Sequence, residues 1–214
     1  MPAPVYPVLL AAVLGVTGCA LTDATIRVEH PRAITTAALS SGRTVSLFVR
    51  MPDVTLVENR QGVKKNGYAT VTANVYTDPK PAQLVERALK VELERAGFTC
   101  QPGVQVPRIA VDLHQVFAEP EVGVWAGDVY SVVDATITVL VSETKAYKRR
   151  FKGIGKITTM LWTDEYYKQS YKMSLRDFLV KAVPEIVNLF EAHPASGTSV
   201  QRERPAGWTP EQRS

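Results

Sequence analysis

Val129-Tyr-Ser-Val-Val-Asp-Ala-Thr-Ile-Thr-Val-Leu-Val-Ser142 decides the predicted fold, because it is the longest strand pattern in the sequence. Its apolar residues alternate, so an extended chain buries one side of it. The residues of that side are Val129, Val133, Ala135, Ile137, Val139 and Val141. A tight turn at residues 143–145 returns the chain through a second strand over residues 146–157. Gly153 and Gly155 inside that second strand indicate a bulge or a close approach of another backbone.

Three further strands are predicted before this hairpin. Residues 44–50 and 68–76 alternate and are rich in β-branched residues. Residues 108–117 alternate as well, with Ile109, Val111 and Leu113 on the buried side. Residues 51–67 carry many turn-forming residues and therefore predict an excursion between the first two strands.

Two helices complete the pattern. The first follows Asp78, a good N-cap, and Pro79, a good first helical residue, and it ends at Gly97. The second starts at Ser174, which opens a capping-box-like sequence, and carries Pro184 on the side away from the core. The predicted core faces are Leu84, Val85, Ala88, Leu89, Leu93 and Ala96 in the first helix, and Leu175, Phe178, Leu179, Ala182, Val183, Ile186 and Phe190 in the second.

The order of elements is therefore β-β-α-β-β-β-α. Strands of this length with only two helices predict an α+β fold rather than an alternating α/β fold. We expect a mostly antiparallel sheet of about five strands with both helices packed on one face.

The amino-terminal region has the pattern of a secretory signal. Residues 5–16 form an apolar run of about a dozen residues, too short to span a bilayer, and small residues follow it. Met1 to Val5 contain no Lys or Arg, which departs from the positive start of such signals.

The end of this run, Val16-Thr17-Gly18-Cys19, resembles the lipobox of bacterial lipoproteins. The resemblance implies that the Cys19 sulfur receives a diacylglyceryl group, that the chain is cut before Cys19, and that the new amine is acylated, for example with palmitate. In that family an Asp after the cysteine retains the protein in the inner membrane. Ala20 stands at that place, which implies an outer-membrane lipoprotein facing the periplasm.

These signals divide the chain into four parts. Residues 1–18 are the predicted signal peptide, 19–42 a lipidated tether with little regular structure, 43–192 a single α+β domain, and 193–214 a disordered tail that contains Trp208. Cleavage leaves 214 − 18 = 196 residues, which is enough for one ordinary domain.

The charge and the cysteines bound the chemistry of the chain. The formal net charge is +4 and the isoelectric point about 9.1, a mild excess that is typical of a solvated surface and also suits anionic lipid. With Cys19 blocked by lipid, Cys100 has no partner for a disulfide within the chain. We expect Cys100 to be buried, and the alternative is a disulfide between two copies.

The whole layout is similar to that of the YajG-like uncharacterised lipoproteins of Gram-negative envelopes. The lipobox, the helix that ends in Ala96-Gly97-Phe98, the strand over residues 109–117, the long hairpin and the closing helix carry this resemblance over residues 10–190. It implies an envelope location and an α+β fold, and it brings no catalytic residues.

No residue pattern predicts catalysis, a metal site or a cofactor. His30, His114 and His193 have no metal-ligand spacing, and the glycines form no phosphate-binding loop. Ser131 with His114 and Asp134 or Asp112 could be drawn as a triad. Asp112 and His114, however, lie two apart on one strand, so an exposed polar face is the better interpretation.

Two stretches are candidates for binding. In the basic stretch at residues 145–152, Lys148, Arg150 and Lys152 share one strand face and could meet phosphate groups of lipid or an acidic protein patch. The alternative is an ordinary solvated sheet face. Residues 161–171 are rich in aromatics, which suits a protein interface or, alternatively, the cover of a sheet edge. The aromatics are Trp162, Tyr166, Tyr167 and Tyr171.

From these features we predict a non-enzymatic, lipid-anchored envelope lipoprotein whose domain binds a protein partner. The membrane is a partner through the lipid on Cys19, and no nucleic acid is expected. The alternative function is a binder of anionic envelope lipid or glycan through residues 145–152.

Overall fold

The computed structural model describes residues 21–30, 38–39, 42–51, 60–103, 106–123, 126–160, 162–193 and 209–210. Within these ranges the chain forms two helices and nine strands. They are β1 (Ala24–Arg27), β2 (Arg43–Arg50), β3 (Gly62–Lys65), β4 (Val71–Asp78), α1 (Pro81–Arg95), β5 (Phe98–Cys100), β6 (Arg108–Glu121), β7 (Gly127–Ser142), β8 (Lys145–Thr159), α2 (Asp164–Ala192) and β9 (Thr209–Pro210). The α+β class is confirmed.

The sheet is mixed, so the predicted sheet of about five mostly antiparallel strands is wrong. The strand order is β1-β4-β3-β6-β7-β8-β9, with β2 also paired to β6 and β5 paired to β2. β2 and β3 both run parallel to β6. They share one edge of it, since β2 pairs with residues 108–112 and Gly62 of β3 with Ala118. β1 also pairs in parallel with β4, whereas β6, β7 and β8 form the predicted antiparallel meander.

Three short strands lie where the sequence shows no strand pattern. β1 lies in the segment that we expected to be an irregular tether, so the sheet begins at Ala24 rather than near residue 43. β3 lies in the predicted turn-rich excursion, and β5 directly follows α1. Strands of three or four residues are too short to show a period of two, so alternation could not reveal them. Trp208 lies outside the described residues, although Thr209 and Pro210 pair with the start of β8.

A bulge in β6 changes which side chains reach the core. The pairing with β7 shifts between Leu113 and Gln115. Up to Leu113 the odd-numbered residues are buried, and after it Val116 and Ala118 are buried instead. The inward pattern of Ile109, Val111 and Leu113 is confirmed, and the extra residue turns Phe117 to the opposite face.

Helix α1 starts later than the Asp78 cap predicts. Its first residue is Pro81, and Lys80 occupies the N-cap position without a side-chain capping bond. Gly97 has φ +91°, in the left-handed region, and ends the helix as predicted. The predicted apolar face is buried, and Glu92 is buried with it.

Helix α2 starts ten residues before the predicted cap at Ser174, since 174 − 164 = 10. Ser174 is fully buried inside the helix, and its hydroxyl donates to the Tyr171 carbonyl over 3.1 Å. Asp164 and Glu165 instead occupy the first turn, where negative charge stabilises the helix dipole. Neither helix in this part of the chain is apolar over enough length to cross a membrane.

α2 packs on β8 with almost no space between the two backbones. A Cβ atom on Gly153 would overlap the Ser174 carbonyl oxygen and lie 2.7 Å from the Phe178 Cβ atom. A Cβ atom on Gly155 would overlap the Ser170 carbonyl oxygen and lie 2.7 Å from the Ser131 hydroxyl. The two glycines therefore mark a close backbone approach, one of the two alternatives that the sequence predicted.

Buried serines join the helix to the sheet at this contact. The Ser131 hydroxyl of β7 donates to the Ser170 carbonyl over 2.6 Å. The Ser170 hydroxyl donates in turn to the Val129 carbonyl over 3.0 Å. We call Gly153, Gly155, Ser131 and Ser170 the glycine–serine seam. Because buried hydroxyls need partners, these bonds hold α2 in one position on the sheet.

α2 also protects the part of the β8 edge that lies beyond its pairing with β9. The Asp177 carboxylate accepts the Ile154 backbone N–H over 2.9 Å, and the Lys181 ammonium donates to the Lys152 carbonyl over 3.0 Å. Side chains that cover edge groups prevent another strand from adding there.

Enlarging the seam should destabilise the domain. We expect Gly155→Ala to cost about 1–3 kcal/mol of unfolding free energy, because the helix must move off the sheet to admit a methyl group. Gly67→Ala is the control, since a Cβ atom there meets nothing within 4 Å, and it should stay within about 0.5 kcal/mol. Urea denaturation of both variants tests this; equal midpoints would contradict the close packing.

Candidate interaction surfaces

The face of the sheet away from both helices carries side chains in rows across β2, β6, β7 and β8. We call this side the open face, although Asp134, Thr136, Thr138 and Leu140 of β7 are buried within it. One row consists of Arg50, Asp112, Thr136 and Arg150, which are neighbours in backbone pairing. The Arg50 guanidinium pairs with the Asp112 carboxylate, and the His114 Nε2 atom lies 2.7 Å from the Thr136 hydroxyl. Polar groups in these rows bond mainly to one another.

The best-formed ion pair of the open face joins β7 to β8. The Arg150 Nε and Nη2 atoms donate to the two Asp134 carboxylate oxygens over 2.7 and 2.6 Å. These two bonds lower the pKa of the Asp134 carboxyl below its usual value. A second pair joins the Lys156 ammonium to Asp128 over 2.7 Å. These two ion pairs give the open face an ordered charge pattern.

One row of the open face is apolar. Phe117 of β6 pairs with Val132 of β7, which pairs with Ile154 of β8. Ile154 is 49% exposed, and the other two side chains are partly exposed. This apolar row runs between the Asp134 and Lys156 rows, so the open face combines a hydrophobic strip with charged borders.

The structure places Lys148, Arg150 and Lys152 together, exposed on β8 at the margin of the open face. The Arg150 guanidinium is engaged by Asp134, so its two-pronged donor set is already used within the chain. Lys148 and Lys152 leave a positive margin on either side of it. Binding by this basic stretch stays a prediction.

The aromatic segment belongs to the first turns of α2 rather than to a connection. Tyr167 and Tyr171 are fully buried, and their hydroxyls donate to the Val63 and Gln61 carbonyls of the β3 region. Burial raises the pKa of both phenols. Both side chains therefore attach α2 to the sheet and offer no surface to a partner in this conformation.

Trp162 and Tyr166 are only partly buried and pack against the edge of the core. A Cβ atom on Gly127 would lie 2.8 Å from the Trp162 ring, so glycine there admits the indole. Trp162 and Tyr166 keep exposed surface, and their role in binding stays a prediction.

The residues of the imagined triad lie on opposite sides of the sheet. Ser131 is buried under α2 in the glycine–serine seam, whereas His114, Asp112 and Asp134 belong to the open face. No hydroxyl–imidazole–carboxylate arrangement results. In the described ranges no group of three or more His, Cys, Asp or Glu side chains could hold a metal ion.

Sequence reasoning missed a buried carboxylate. Glu92 of α1 is fully buried, and its Oε1 atom lies 2.9 Å from His30 Nε2 and 2.5 Å from Arg95 Nη1. This contact ties the chain after β1 to α1, beside a cleft of about 410 Å³ between the two elements. A partner 62 positions away leaves no local pattern that could have revealed it.

Comparison with known proteins places the chain in a family. Residues 33–188 match the model of a family described as uncharacterised lipoprotein. The chain belongs to this family, and the predicted resemblance to the YajG-like lipoproteins is confirmed. The lipobox at Val16 to Cys19 lies outside the described residues. None of the curated proteins matches the chain.

Two solved structures are similar to the chain in fold. The first is the crystal structure of protein XCC0632 from Xanthomonas campestris, of the DUF330 family. It has a TM-score of 0.53 and 8% identity over 78% of this chain and 95% of that one. The second is a crystal structure of an uncharacterised protein, with a TM-score of 0.37, 12% identity, and coverage of 78% and 96%. At these identities only the fold of the first is informative.

Acid should remove the benefit of the Asp134–Arg150 pair. The folded pKa of Asp134 lies below the unfolded value, so the pair stabilises the fold above the unfolded pKa and stops doing so as pH falls through the folded pKa. We expect Asp134→Asn to lower the urea midpoint at pH 7, and the difference from the wild type to shrink as pH falls through the folded pKa of Asp134. Lys148→Gln, which changes another charge of β8 and leaves the Asp134–Arg150 pair in place, serves as the control. Its difference from the wild type should not follow the titration of Asp134. A constant difference at every pH would contradict this assignment.

Cys100 is a partly buried free thiol on β5, opposite Val45 of β2. Burial, with the nearby Glu94 carboxylate, raises the pKa of this thiol to about 11. Its thiolate fraction is therefore small at pH 8. We expect alkylation roughly tenfold slower in the folded than in the unfolded chain, and a monomer on non-reducing gels. A reductant-sensitive dimer that is absent in Cys100→Ser would contradict the burial prediction.

Proposed function

We propose that this lipoprotein is a non-enzymatic envelope protein, anchored in the outer membrane through lipid on Cys19, that binds a protein partner with its open face. The observation that carries the proposal is that α1 and α2 pack on the same side of the sheet, whereas neither of them covers the partly exposed apolar row Phe117–Val132–Ile154 on the other side. The anchor rests on the lipobox, on Ala20, and on the family match.

The composition of the open face supports a protein as the ligand. Protein interfaces combine an apolar centre with a polar rim. Here Ile154 and its row neighbours form the centre, while Lys152 and Lys156 stand on either side of Ile154 along β8. A partner of matching chemistry presents an apolar strip bordered by carboxylates.

The alternative function, binding of anionic lipid or glycan, uses Lys148, Arg150 and Lys152. Arg150 would first have to give up its two bonds to Asp134, which lowers the affinity that it can offer to a phosphate group. Lys148 and Lys152 are exposed and support this alternative, which predicts salt-sensitive binding to anionic vesicles.

The test compares two exposed apolar residues. Ile154 lies on the open face and is 49% exposed, whereas Val180 lies on the outer surface of α2 and is 47% exposed. Arginine at either site adds the same charge, so Val180→Arg is the matched control for Ile154→Arg. The tagged, lipidated chains are purified from detergent-solubilised envelopes.

We expect the wild type and Val180→Arg to retain one protein partner at a stoichiometric level in high salt, and Ile154→Arg to lose it. Equal retention by both variants would contradict the proposed face. Absence of any partner, with salt-sensitive vesicle binding that Lys148→Gln and Lys152→Gln abolish together, would decide for the alternative.

A further inference from the structure

The anchor and the folded domain are separated by very little chain. β1 starts at Ala24, and 24 − 19 = 5 positions separate it from Cys19. Five residue steps span at most about 17 Å. All four residues of β1 pair with β4, so the strand is an integral part of the sheet. A lipid on Cys19 therefore holds the start of β1 close to the bilayer.

The topology determines which other segments lie at that end of the sheet. β1 runs parallel to β4, and β3 runs antiparallel to β4, so the turn at residues 66–70 lies at the end where β1 starts. β6 runs parallel to β3, and β8 runs parallel to β6 through β7, so the end of β8 lies there too. We call this the anchor end.

The anchor end exposes large apolar side chains. Tyr68 is 92% exposed, Leu21 63%, Val71 51% and Met160 78%. Tyr68 lies in the β3–β4 turn and Val71 begins β4, whereas Ala24 is paired with Val75 further along β4. The turn therefore extends past the start of β1 by four residues of β4, about 13 Å.

The turn that carries Tyr68 is an ordered structure. The Asn66 side-chain oxygen accepts the backbone N–H groups of Tyr68 and Thr70 over 3.0 and 3.1 Å. Ala69 has φ +61°, and its N–H donates to the Asn66 carbonyl over 3.0 Å. Such an Asx-type turn holds its tip in one conformation. Tyr68 is thus presented to its surroundings, rather than folded back on the sheet.

We infer that the anchor end lies on the membrane surface and that the β3–β4 turn inserts Tyr68 and Val71 into the lipid headgroup region. The inference rests on the proposed lipidation of Cys19. Tyrosine suits this depth, because its ring is apolar and its hydroxyl stays hydrated. Because so few residues separate Cys19 from β1, the surface that the anchor end contacts is the bilayer that holds the lipid.

The attraction between the anchor end and the membrane is apolar rather than electrostatic. Lys65 at this end is paired with Glu119 over 2.7 Å, and Lys64 with Asp164 over 2.9 Å. Paired charges leave little net field for anionic headgroups, so contact should occur on zwitterionic lipid and resist salt. Binding through the basic stretch would be salt-sensitive instead. That stretch also lies far from the anchor end, since Lys148 is eleven residues of β8, about 35 Å, from Thr159.

The test uses the lipidated mature chain in phosphatidylcholine vesicles. Tyr68→Cys and Thr144→Cys are made in a Cys100→Ser chain and labelled with an environment-sensitive fluorophore. Thr144 is exposed in the β7–β8 turn at the opposite end of the sheet, which makes it the matched control. Flotation and fatty-acid labelling of each variant report on the anchor independently.

We expect a blue-shifted emission and severalfold greater quenching by headgroup-region quencher lipids at position 68, unchanged by high salt, with position 144 unaffected. Solvent-like emission at both positions in a floating, fatty-acylated protein would overturn the inference and leave the anchor standing. A change at position 68 that requires added envelope protein would overturn it in favour of a protein contact. Loss of flotation and of label in both chains would overturn the anchor, and the inference with it.

Discussion

Helix α2 approaches β8 so closely that no side chain fits between them at Gly153 and Gly155. The rest of the structure depends on this contact. Because the backbones touch there, Ser170 can reach carbonyls of the sheet, and Tyr167 and Tyr171 can reach β3. The helix thereby spans the sheet from β8 to β3 and shields the apolar face of β6 and β7 from water, which is the main source of stability.

The same contact determines what the protein can offer to its surroundings. One side of the sheet is committed to α1 and α2, and the edge of β8 is covered by Asp177 and Lys181. The side that remains is the open face. Its charges are largely paired internally, and neither α1 nor α2 covers its apolar row Phe117–Val132–Ile154. A lipid on Cys19 would orient the domain relative to the membrane. β1 and the β3–β4 turn would then face the membrane, and the open face would lie to one side of this contact.

The sequence was sufficient to predict that the long elements exist and which faces they bury, but not where both helices start. The β7–β8 hairpin, the core faces of both helices and the stop at Gly97 follow from periodicity and local conformation, which fifteen or more residues specify well. Gly153 and Gly155 were also noted in the sequence, but glycines within a strand are equally typical of a bulge and of a close approach by another backbone. The start of α2 was missed because its buried face begins with the polar residues Tyr167, Tyr171 and Ser174. In the sequence, polar residues at these positions are typical of a loop. Their hydrogen-bond partners, near β3 and within the helix, are visible only in the structure.

Other features depend on contacts that are distant in sequence. The short strands depend on distant partners: β1 pairs with β4, β3 lies between β4 and β6, and β5 pairs with β2. The bulge at Leu113 likewise appears only in the register with β7. Of the candidate site residues, Lys148, Arg150 and Lys152 share a face as the alternation implied. The bidentate bond of Arg150 to Asp134, like the burial of Glu92, requires knowledge of the pairing and has no signature in the residues alone.

Native-state hydrogen exchange tests the central claim, that α2 cannot leave the sheet without unfolding the domain. The amides of residues 170–178 and those of β7 and β8 should exchange with one common opening free energy, equal to that of global unfolding at every denaturant concentration. Exchange of the helix amides through a smaller opening, while the β7 and β8 amides remain protected, would contradict the account.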